Sequence, residues 1–249
     1  MQTPNVRIGR EGAVLCVTFD RPDKKNALNR AMYLTATQAL REAGGDPSIG
    51  AVVFAGSGGV FTAGNDIADF LDAGAEPGEF PAFTFIKTLA AIETPLVAAI
   101  EGLAIGIGAT MTLHCDLVYA APDTTFRLPF VDLGLVPEAA SSLLLPRRVG
   151  MAKAAEFMLL GEPFDAEAAV RLGLANAIVP AGELYGFAIG QAARLGAKPR
   201  ASLAATRRLM RGDRTEILAR IEEEARLFSA ALRSQDARAA FAAFLGKAR

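Results

Sequence analysis

The sequence predicts an α/β fold, and three observations carry this prediction. Short apolar runs bounded by glycine or proline, such as residues 51–55 and 96–100, are typical of strands buried on both faces of a sheet. Stretches between these runs place apolar residues three and four positions apart, which indicates helices. The chain has 249 residues, of which 51% are hydrophobic, so it is long enough to build a sizeable core around such a sheet.

The first predicted elements are a strand, a loop and a helix. Residues 14–19, Val-Leu-Cys-Val-Thr-Phe, are rich in strand formers, and Arg21-Pro22-Asp23 ends the strand. A helix is expected over 30–43, where two glycines stop it. The same criteria predict strands at 51–55, 96–100, 117–120 and 177–179, and helices at 82–93, 106–115, 139–160 and 165–172.

The pattern changes near residue 199, which suggests two regions, 1–198 and 199–249. The second region has no strand candidate and predicts helices at 202–211, 215–232 and 235–245. It carries eleven Lys and Arg against six Asp and Glu, although the whole chain has a formal net charge of −1. Three phenylalanines of this region need an apolar surface to cover, namely Phe228, Phe241 and Phe244.

Composition excludes several functional classes. Cys16 and Cys115 show no disulfide or metal-ligand spacing, and His114 is the single histidine, so no zinc motif with two histidines is possible. The near-neutral charge argues against a nucleic-acid partner, and no segment predicts a membrane span or an export signal. A cytoplasmic location is therefore expected.

Two glycine-rich turns are candidate binding elements. Residues 56–67 and 101–110 each follow a predicted buried strand and lead into a helix. Unpaired N–H groups at such a turn favour negative charge, and two of them aimed at one carbonyl oxygen make an oxyanion hole. The alternative is that these glycines serve only tight packing and helix starts.

These turns also carry a resemblance to a known family. Phe-Thr-Ala-Gly-Asn-Asp-Ile at 61–67, Ala-Ile-Glu-Gly-Leu-Ala-Ile-Gly-Ile-Gly at 99–108 and Cys-Asp-Leu-Val-Tyr-Ala at 115–120 together resemble the crotonase, or enoyl-CoA hydratase/isomerase, superfamily. Residues 21–29 look like the CoA-binding segment of that family, and residues 243–247 resemble its C-terminal helix.

The resemblance implies a spiral of β-β-α units whose C-terminal helices pack between subunits of a homotrimer or hexamer. It implies an acyl-CoA thioester as substrate, and no cofactor beyond the CoA of that substrate. The thioester oxygen would be held by the backbone N–H groups of Ala63 and Ile107. The residues implied for CoA and substrate binding are Lys24, Lys25, Ala27, Asn65, Asp66, Ile67 and Lys247.

Departures from the family pattern indicate which reaction to expect. Hydratases of this family use two glutamates, and the corresponding positions here hold Thr110 and Phe130, neither of which titrates near neutrality. Pro137-Glu138 instead resembles the Δ3,Δ2-enoyl-CoA isomerase branch, whose single catalytic glutamate falls at this position. One carboxylate suffices there, because it removes a proton from C2 and returns one to C4. The apolar neighbours of Glu138 predict a raised pKa.

Several alternatives stay open at this point. Pro137 and Glu138 are also what the first positions of a helix prefer, which needs no catalytic role. A second hypothesis is a hydratase or another lyase that uses Glu138 or Asp132. A third is a protein without catalytic activity that binds acyl-CoA or RNA. A dyad of His114 with Cys115 is disfavoured, since adjacent helical residues do not face each other. An acyl tunnel shaped by residues such as Phe70 and Leu71 leaves chain length undetermined.

Overall fold

The computed structural model describes residues 2–3, 5–69 and 80–247, with side chains described over 5–69 and 80–243. Both sheets are built from short strands. Their bounds are β1 Gln2–Thr3, β2 Val6–Glu11, β3 Val14–Phe19, β4 Ala51–Gly56, β5 Leu96–Ile100, β6 Leu103–Ile105, β7 Leu117–Ala120, β8 Thr125–Arg127, β9 Phe164–Asp165 and β10 Ala177–Ile178.

Helices separate the strands and make up the last part of the chain. Within the described ranges they are α1 Arg30–Gly45, α2 Pro81–Ala91, α3 Ile107–Thr110, α4 Ser141–Val149, α5 Met151–Leu159, α6 Ala166–Arg171, α7 Ala181–Gly196, α8 Arg200–Arg211, α9 Arg214–Leu232 and α10 Gln235–Lys247. Turns of 3₁₀ helix lie at Pro22–Lys24, Met111–His114 and Val131–Leu133. The predicted α/β fold is confirmed.

The large sheet has the order β1-β2-β3-β4-β5-β7-β10 among the described strands. The pairs β1–β2 and β2–β3 are antiparallel. From β3 onward, through β4, β5, β7 and β10, adjacent strands are parallel. Because parallel strands need a crossover, the chain leaves the sheet after each of them and returns through a helix or a second sheet. The carboxyl ends of β4, β5 and β7 therefore lie at one edge.

A small second sheet gives the fold its spiral character. It has the order β6-β8-β9, and the bridge between Thr62 and Ala104 adds the first glycine turn beside β6. Ala104 pairs in turn with Phe126 of β8. After each of β4, β5 and β7 in the large sheet, the chain thus continues into the small sheet, at adjacent positions. This is the path expected of a repeating unit of two strands and a helix.

Alternate residues of the central strands bury on opposite faces of the large sheet. Val52 and Phe54 of β4 join the main core with α1 and α2, while Val53 faces a second apolar cluster. That second cluster is covered by α7 through Leu184 and Ala188, among others. Continuous apolar strands are required because both faces are covered.

The helix α7 and the strand β2, which lies between β1 and β3, are absent from the sequence prediction. The α7 segment carries glycines at 182, 186 and 190, which weaken helix propensity, and burial of the stripe on Leu184 and Ala188 against the sheet compensates for it. The strand β2, Val-Arg-Ile-Gly-Arg-Glu, is mostly exposed, so its sequence lacks the apolar run used to recognise the others.

Two predicted helices differ from the structure. The helix expected at 139–160 is two helices, α4 and α5, because Gly150 separates them with a φ of 80°. The helix also begins only at Ser141, after Ala139 and Ala140 in left-handed conformations. The helix expected at 106–115 is the short α3 followed by a 3₁₀ turn.

The C-terminal helices pack on the core of the same chain. Phe228 of α9 and Phe241 of α10 are 2% exposed and belong to the main core. Phe228 stands edge-on to Phe83 of α2 at a centroid distance of 5.8 Å. The predicted division at 198/199 falls between α7 and α8, and the side chain of Phe244 lies outside the described ones. No described helix is long and apolar enough to cross a membrane.

Candidate active site

The two glycine-rich turns lie side by side. The Thr62 N–H donates to the Leu103 carbonyl over 2.8 Å, and the Ile105 N–H donates to the Thr62 carbonyl over 3.1 Å. Gly64 has a φ of 93°, and a Cβ there would lie 2.9 Å from the Ile105 carbonyl oxygen. The close approach of the two turns therefore requires glycine at position 64.

Some backbone amides at this junction have no acceptor among the described residues. They include the Ile107 N–H, which opens α3, and the Asn65 N–H. The Ala63 N–H, in contrast, donates to the Lys25 carbonyl over 2.9 Å, so it already serves the fold. The expected pair of Ala63 and Ile107 is corrected at one position, because Asn65 offers the free amide.

Glu138 lies beside this junction with its carboxyl buried. The side chain is 3% exposed, and Oε1 accepts a hydrogen bond from Thr110 Oγ1 over 2.5 Å. Its other oxygen, Oε2, is buried and has no hydrogen-bond partner among the described residues. Thr110 follows Ile107 by one turn, so α3 carries both the free amide and the group that holds Glu138.

Burial changes the acidity of Glu138. Desolvation penalises the charged carboxylate and raises its pKa from 4.5 to about 8, against the opposing effect of the Thr110 hydrogen bond. The negative charge of Glu224 raises the pKa further. A carboxyl of this kind exchanges a proton near neutral pH, which suits a group that must accept a proton and then return it.

The segment that carries Glu138 is not the first turn of a helix. Residues 135–138 lie outside any helix or strand, and α4 starts at Ser141. The interpretation of Glu138 as a charge that stabilises a helix N-terminus is therefore wrong. The left-handed Ala139 and Ala140, with φ of 59° and 53°, turn the chain sharply between the acid and the helix.

Side chains from two other elements hold this turn. The Ala139 carbonyl accepts a hydrogen bond from His114 Nε2 over 2.8 Å. The Ala140 N–H donates to Glu224 Oε2 over 2.6 Å, while the N–H and hydroxyl of Ser142 donate to Glu224 Oε1. Glu224 comes from α9 and is 4% exposed. The C-terminal region therefore fixes the residues next to the buried acid.

His114 is a hydrogen-bonded core residue, as expected. Desolvation lowers its pKa from 6.5 to about 4, so the ring is neutral at pH 7 and its Nε2 must carry the proton donated to Ala139. Burial raises the pKa of the neighbouring Cys115 thiol to about 12. A nucleophilic dyad of His114 with Cys115 is therefore excluded. Both cysteines are free.

Tyr33 connects the first turn to the same site. Its hydroxyl, in a side chain 2% exposed, donates to the Asn65 side-chain oxygen. Burial raises the pKa of Tyr33, and the charge of Glu138 raises it further, which requires that the two side chains lie within electrostatic reach. Asn65 is thereby tied to the site through its side chain.

The predicted CoA segment packs against the first glycine turn. Asn26 is fully buried and donates through its amide nitrogen to the Ser57 and Val60 carbonyls, which fixes the loop. Lys24 and Lys25 are exposed at its edge, and Ala27 is half-buried. The structure therefore places the lysines where they reach solvent beside the turn.

The remaining predicted residues divide into three groups. The Asp66 carboxylate accepts hydrogen bonds from the Arg21 side chain over 2.6 Å and from backbone N–H groups of the following turn, so its contacts are explained by the fold. Ile67 packs on the core. Asp132 forms an exposed ion pair with Arg127 over 3.0 Å and does not contact Glu138. The side chain of Lys247, and all of Phe70 and Leu71, lie outside the described part of the chain.

Sequence reasoning missed three residues of this site. These are Tyr33, Asn26 as the loop anchor, and Glu224. A signal existed for Glu224, because it occupies the apolar stripe of α9 between Ile221 and Phe228, where a carboxylate needs partners. Nothing in the local sequence distinguishes Tyr33 from an ordinary core aromatic.

Comparisons with known proteins identify the family. The model of the enoyl-CoA hydratase/isomerase family matches residues 9–249. This chain belongs to the enoyl-CoA hydratase/isomerase family. A Mycobacterium bovis protein named probable enoyl-CoA hydratase is 34% identical over 99% of this chain and 97% of its own length.

Proteins named hydratases and proteins named isomerases are both similar to this chain. Enoyl-CoA delta isomerase 2 of Rattus norvegicus is 36% identical over 72% of this chain, which spans 47% of that longer protein. The crystal structure of an enoyl-CoA hydratase/isomerase from Pseudoalteromonas atlantica superimposes with a TM-score of 0.92 at 39% identity, over 98% of this chain and 97% of that one. The crotonase spiral expected from the motifs is confirmed.

Proposed function

We propose that this enoyl-CoA hydratase/isomerase family member is an isomerase that converts 3-enoyl-CoA into 2-enoyl-CoA. The observation that carries the proposal is the buried carboxyl of Glu138, which is held by Thr110 of α3 and has one oxygen without a partner among the described residues. The family supplies the expectation of an acyl-CoA thioester as substrate. The reaction as proposed requires no cofactor.

The proposed mechanism is a proton transfer in two steps. The Glu138 carboxylate removes a proton from C2, and the electron pair moves into the thioester to form a dienolate. The free amides of Ile107 and Asn65 stabilise the negative oxygen. The protonated Glu138 then delivers its proton to C4, the double bond moves to the 2 position, and the carboxylate is restored.

Hydration, the alternative, needs a second group to activate or protonate water. Thr110 and Phe130 cannot serve, because neither side chain titrates near neutrality. Glu224 is the carboxyl whose charge acts on Glu138, but its two oxygens accept hydrogen bonds from Ala140 and Ser142. The local arrangement therefore supports a one-carboxylate reaction, although relatives carry both names.

CoA binding and assembly follow the family expectation. We infer that Lys24 and Lys25 contact CoA phosphates, since both are exposed on the loop that Asn26 fixes beside the first turn. Lys247 from a neighbouring subunit is a further proposed contact. A homotrimer or hexamer and a cytoplasmic location are part of the same proposal.

The substitution Glu138→Gln tests the proposal. The amide keeps the shape of the side chain and its bond to Thr110 but cannot carry the proton, so we expect kcat for 3-enoyl-CoA to fall by about a thousandfold or more. The formation of conjugated 2-enoyl-CoA is followed by ultraviolet absorbance. Wild-type protein is also given 2-enoyl-CoA alone.

The outcomes separate the candidate functions. Retained isomerase turnover in Glu138→Gln contradicts the role of Glu138. Loss of conjugated absorbance when wild-type protein receives 2-enoyl-CoA indicates hydration instead. The variant Asp132→Asn is the matched control, because Asp132 lies in an exposed ion pair, and its activity should equal that of the wild type.

A further inference from the structure

A cavity lies between α8 and the 3₁₀ turn at 111–114. It has a volume of about 490 Å³ and is enclosed by α8, the start of α9, the 3₁₀ turn at 111–114 and the C-terminal half of α4. Its lining includes His114 but not Glu138. The volume is in the range of sites that hold small organic ligands.

Arginines dominate the charged lining of this cavity. Arg148, Arg207 and Arg211 all border it, and Arg207 is 8% exposed. Arg207 Nε and Arg211 Nη2 donate to the same oxygen, Asp116 Oδ1, over 2.8 and 2.9 Å. Arg148 donates to the Leu113 carbonyl. Two guanidinium groups thus share one carboxylate oxygen, and the third is held by a main-chain carbonyl.

Main-chain carbonyls accept further hydrogen bonds from these arginines, because Arg207 Nη1 donates to the Ile92 and Glu93 carbonyls and Arg211 Nη2 donates to the His114 carbonyl. Arg207 Nη2 is buried and has no acceptor in the described part of the chain. The second Asp116 oxygen accepts a hydrogen bond from the Leu96 N–H, so it is not the acceptor of Arg207 Nη2. A buried guanidinium without sufficient acceptors is costly, and bound oxygen atoms are the usual remedy.

Other charges near the cavity do not remove the excess. Arg147 is paired with Glu216 over 2.7 Å, and Arg214 lies 3.7 Å from Glu93. Burial is the main cause that lowers the pKa of Arg211, and the positive charge of Arg207 lowers that pKa further. The charges of Arg207 and Arg211 therefore repel each other although both side chains are paired with Asp116.

The cavity also has apolar walls, formed by residues such as Leu113, Leu144 and Leu203. We propose that this cavity binds a small molecule that carries a carboxylate or phosphate group, with its oxygens on Arg148, Arg207 and Arg211. Guanidinium groups are suited to this chemistry because their N–H groups match carboxylate and phosphate oxygens. The site is separate from the acyl-CoA site and does not depend on the proposed isomerase activity.

The first experiment measures binding to the full-length protein. Inorganic phosphate and hexanoate are titrated at constant ionic strength, with hexanol as the uncharged control. Equilibrium dialysis gives the Kd and stoichiometry, and thermal unfolding gives Tm. We expect one anion per chain and a rise in Tm of about 5 °C at a concentration 100-fold above Kd, because ligand binding stabilises the folded state.

Two variants locate the bound anion. Arg207→Gln should raise Kd at least tenfold. Because Arg207 also joins α8 to the sheet through Asp116, Ala204→Glu provides a second test that places a carboxylate in the cavity without removing that contact. Ala204→Glu should abolish anion binding, whereas the exposed Arg226→Gln should bind like wild type.

The results identify the source of the anion or overturn the site. Binding of phosphate alone supports an inorganic or phosphorylated ligand, and binding of hexanoate alone supports a carboxylate on an apolar body. If neither anion binds, the proposal is wrong. It is equally wrong if Ala204→Glu binds both anions with wild-type affinity, because the anion then lies elsewhere, including the acyl site.

Discussion

At the scale of single residues, opposing contacts set the acidity of Glu138. Burial and the charge of Glu224 raise the pKa of Glu138, while the hydrogen bond from Thr110 lowers it, and the resulting pKa is about 8. A residue that relays a proton needs this compromise, because the carboxylate of a stronger acid would be too weak a base to remove the C2 proton, and a much weaker acid would hold its proton too firmly to act as a base. Thr110 therefore has a role beyond filling the position where hydratases carry a glutamate.

The substitution Thr110→Val should move the pH profile. Without the hydroxyl, the carboxylate loses a hydrogen bond, so its pKa rises and the ascending limb of kcat/KM shifts to higher pH. The measurement is kcat/KM for 3-enoyl-CoA between pH 6 and 10. Thr112→Val is the control, because the Thr112 hydroxyl donates to the Ala109 carbonyl and does not contact Glu138. An unshifted limb would show that Thr110 does not influence the titrating group.

At the scale of elements, α9 supports the catalytic turn. Glu224 accepts three hydrogen bonds from Ala140 and Ser142, which lie at the start of α4. Those bonds satisfy N–H groups that a helix start leaves without partners. They also hold two residues in the left-handed region, where a non-glycine backbone is unfavourable by about 1 kcal/mol or more each.

Removing this support should reduce both stability and turnover. Glu224→Ala leaves buried N–H groups unpaired, so we expect the free energy of unfolding to fall by about 2–4 kcal/mol, measured by urea denaturation. We expect kcat to fall more than KM changes, because Glu138 loses its position while the CoA segment is untouched. The neighbouring Glu223→Ala is the control, since Glu223 is exposed and pairs with Arg220 over 3.2 Å. Equal effects of the two substitutions would contradict a special role for Glu224.

The elements also show how far the sequence could predict the structure. Buried parallel strands such as β5 and β7 were predicted with their observed bounds, because an apolar run between glycine or proline has few other interpretations. The helix α7 was missed because its formation depends on packing against the sheet. The turn after Glu138 was taken for a helix, since two alanines give no local signal of a left-handed conformation.

The candidate site was only partly accessible to the same reasoning. Glu138 and Ile107 follow from motifs, and the structure brings them to one place through Thr110. The engagement of the Ala63 amide with Lys25 depends on a contact between distant segments, which spacing cannot reveal. Tyr33 was unpredictable for the same reason.

At the scale of the whole molecule, two buried groups make stability depend on pH in opposite directions. The folded pKa of Glu138, about 8, lies above its ordinary value, so its contribution is complete below pH 4.5 and is lost as pH rises through 8. The folded pKa of His114, about 4, lies below its ordinary value, so its contribution is complete above pH 6.5 and is lost as pH falls through 4.

These shifts predict a specific loss of stability on the alkaline side. Between pH 6.5 and 8 only the Glu138 contribution of this pair changes, and the free energy of unfolding should fall by about 2 kcal/mol, at about 1.4 kcal/mol per pH unit. The fall should be absent in Glu138→Gln and present in the exposed Glu223→Gln. Urea denaturation at several pH values measures it. A parallel fall in both variants would assign the effect to other groups.

The order in which the chain is made adds a consequence to the contact between Glu224 and the turn at 139–140. Glu138 leaves the ribosome well before Glu224, whose carboxylate holds the turn next to Glu138. The turn next to Glu138 therefore lacks these hydrogen bonds until α9 has been made. On the proposed function, we expect a chain that stops before residue 224 to carry Glu138 without the contacts that position it.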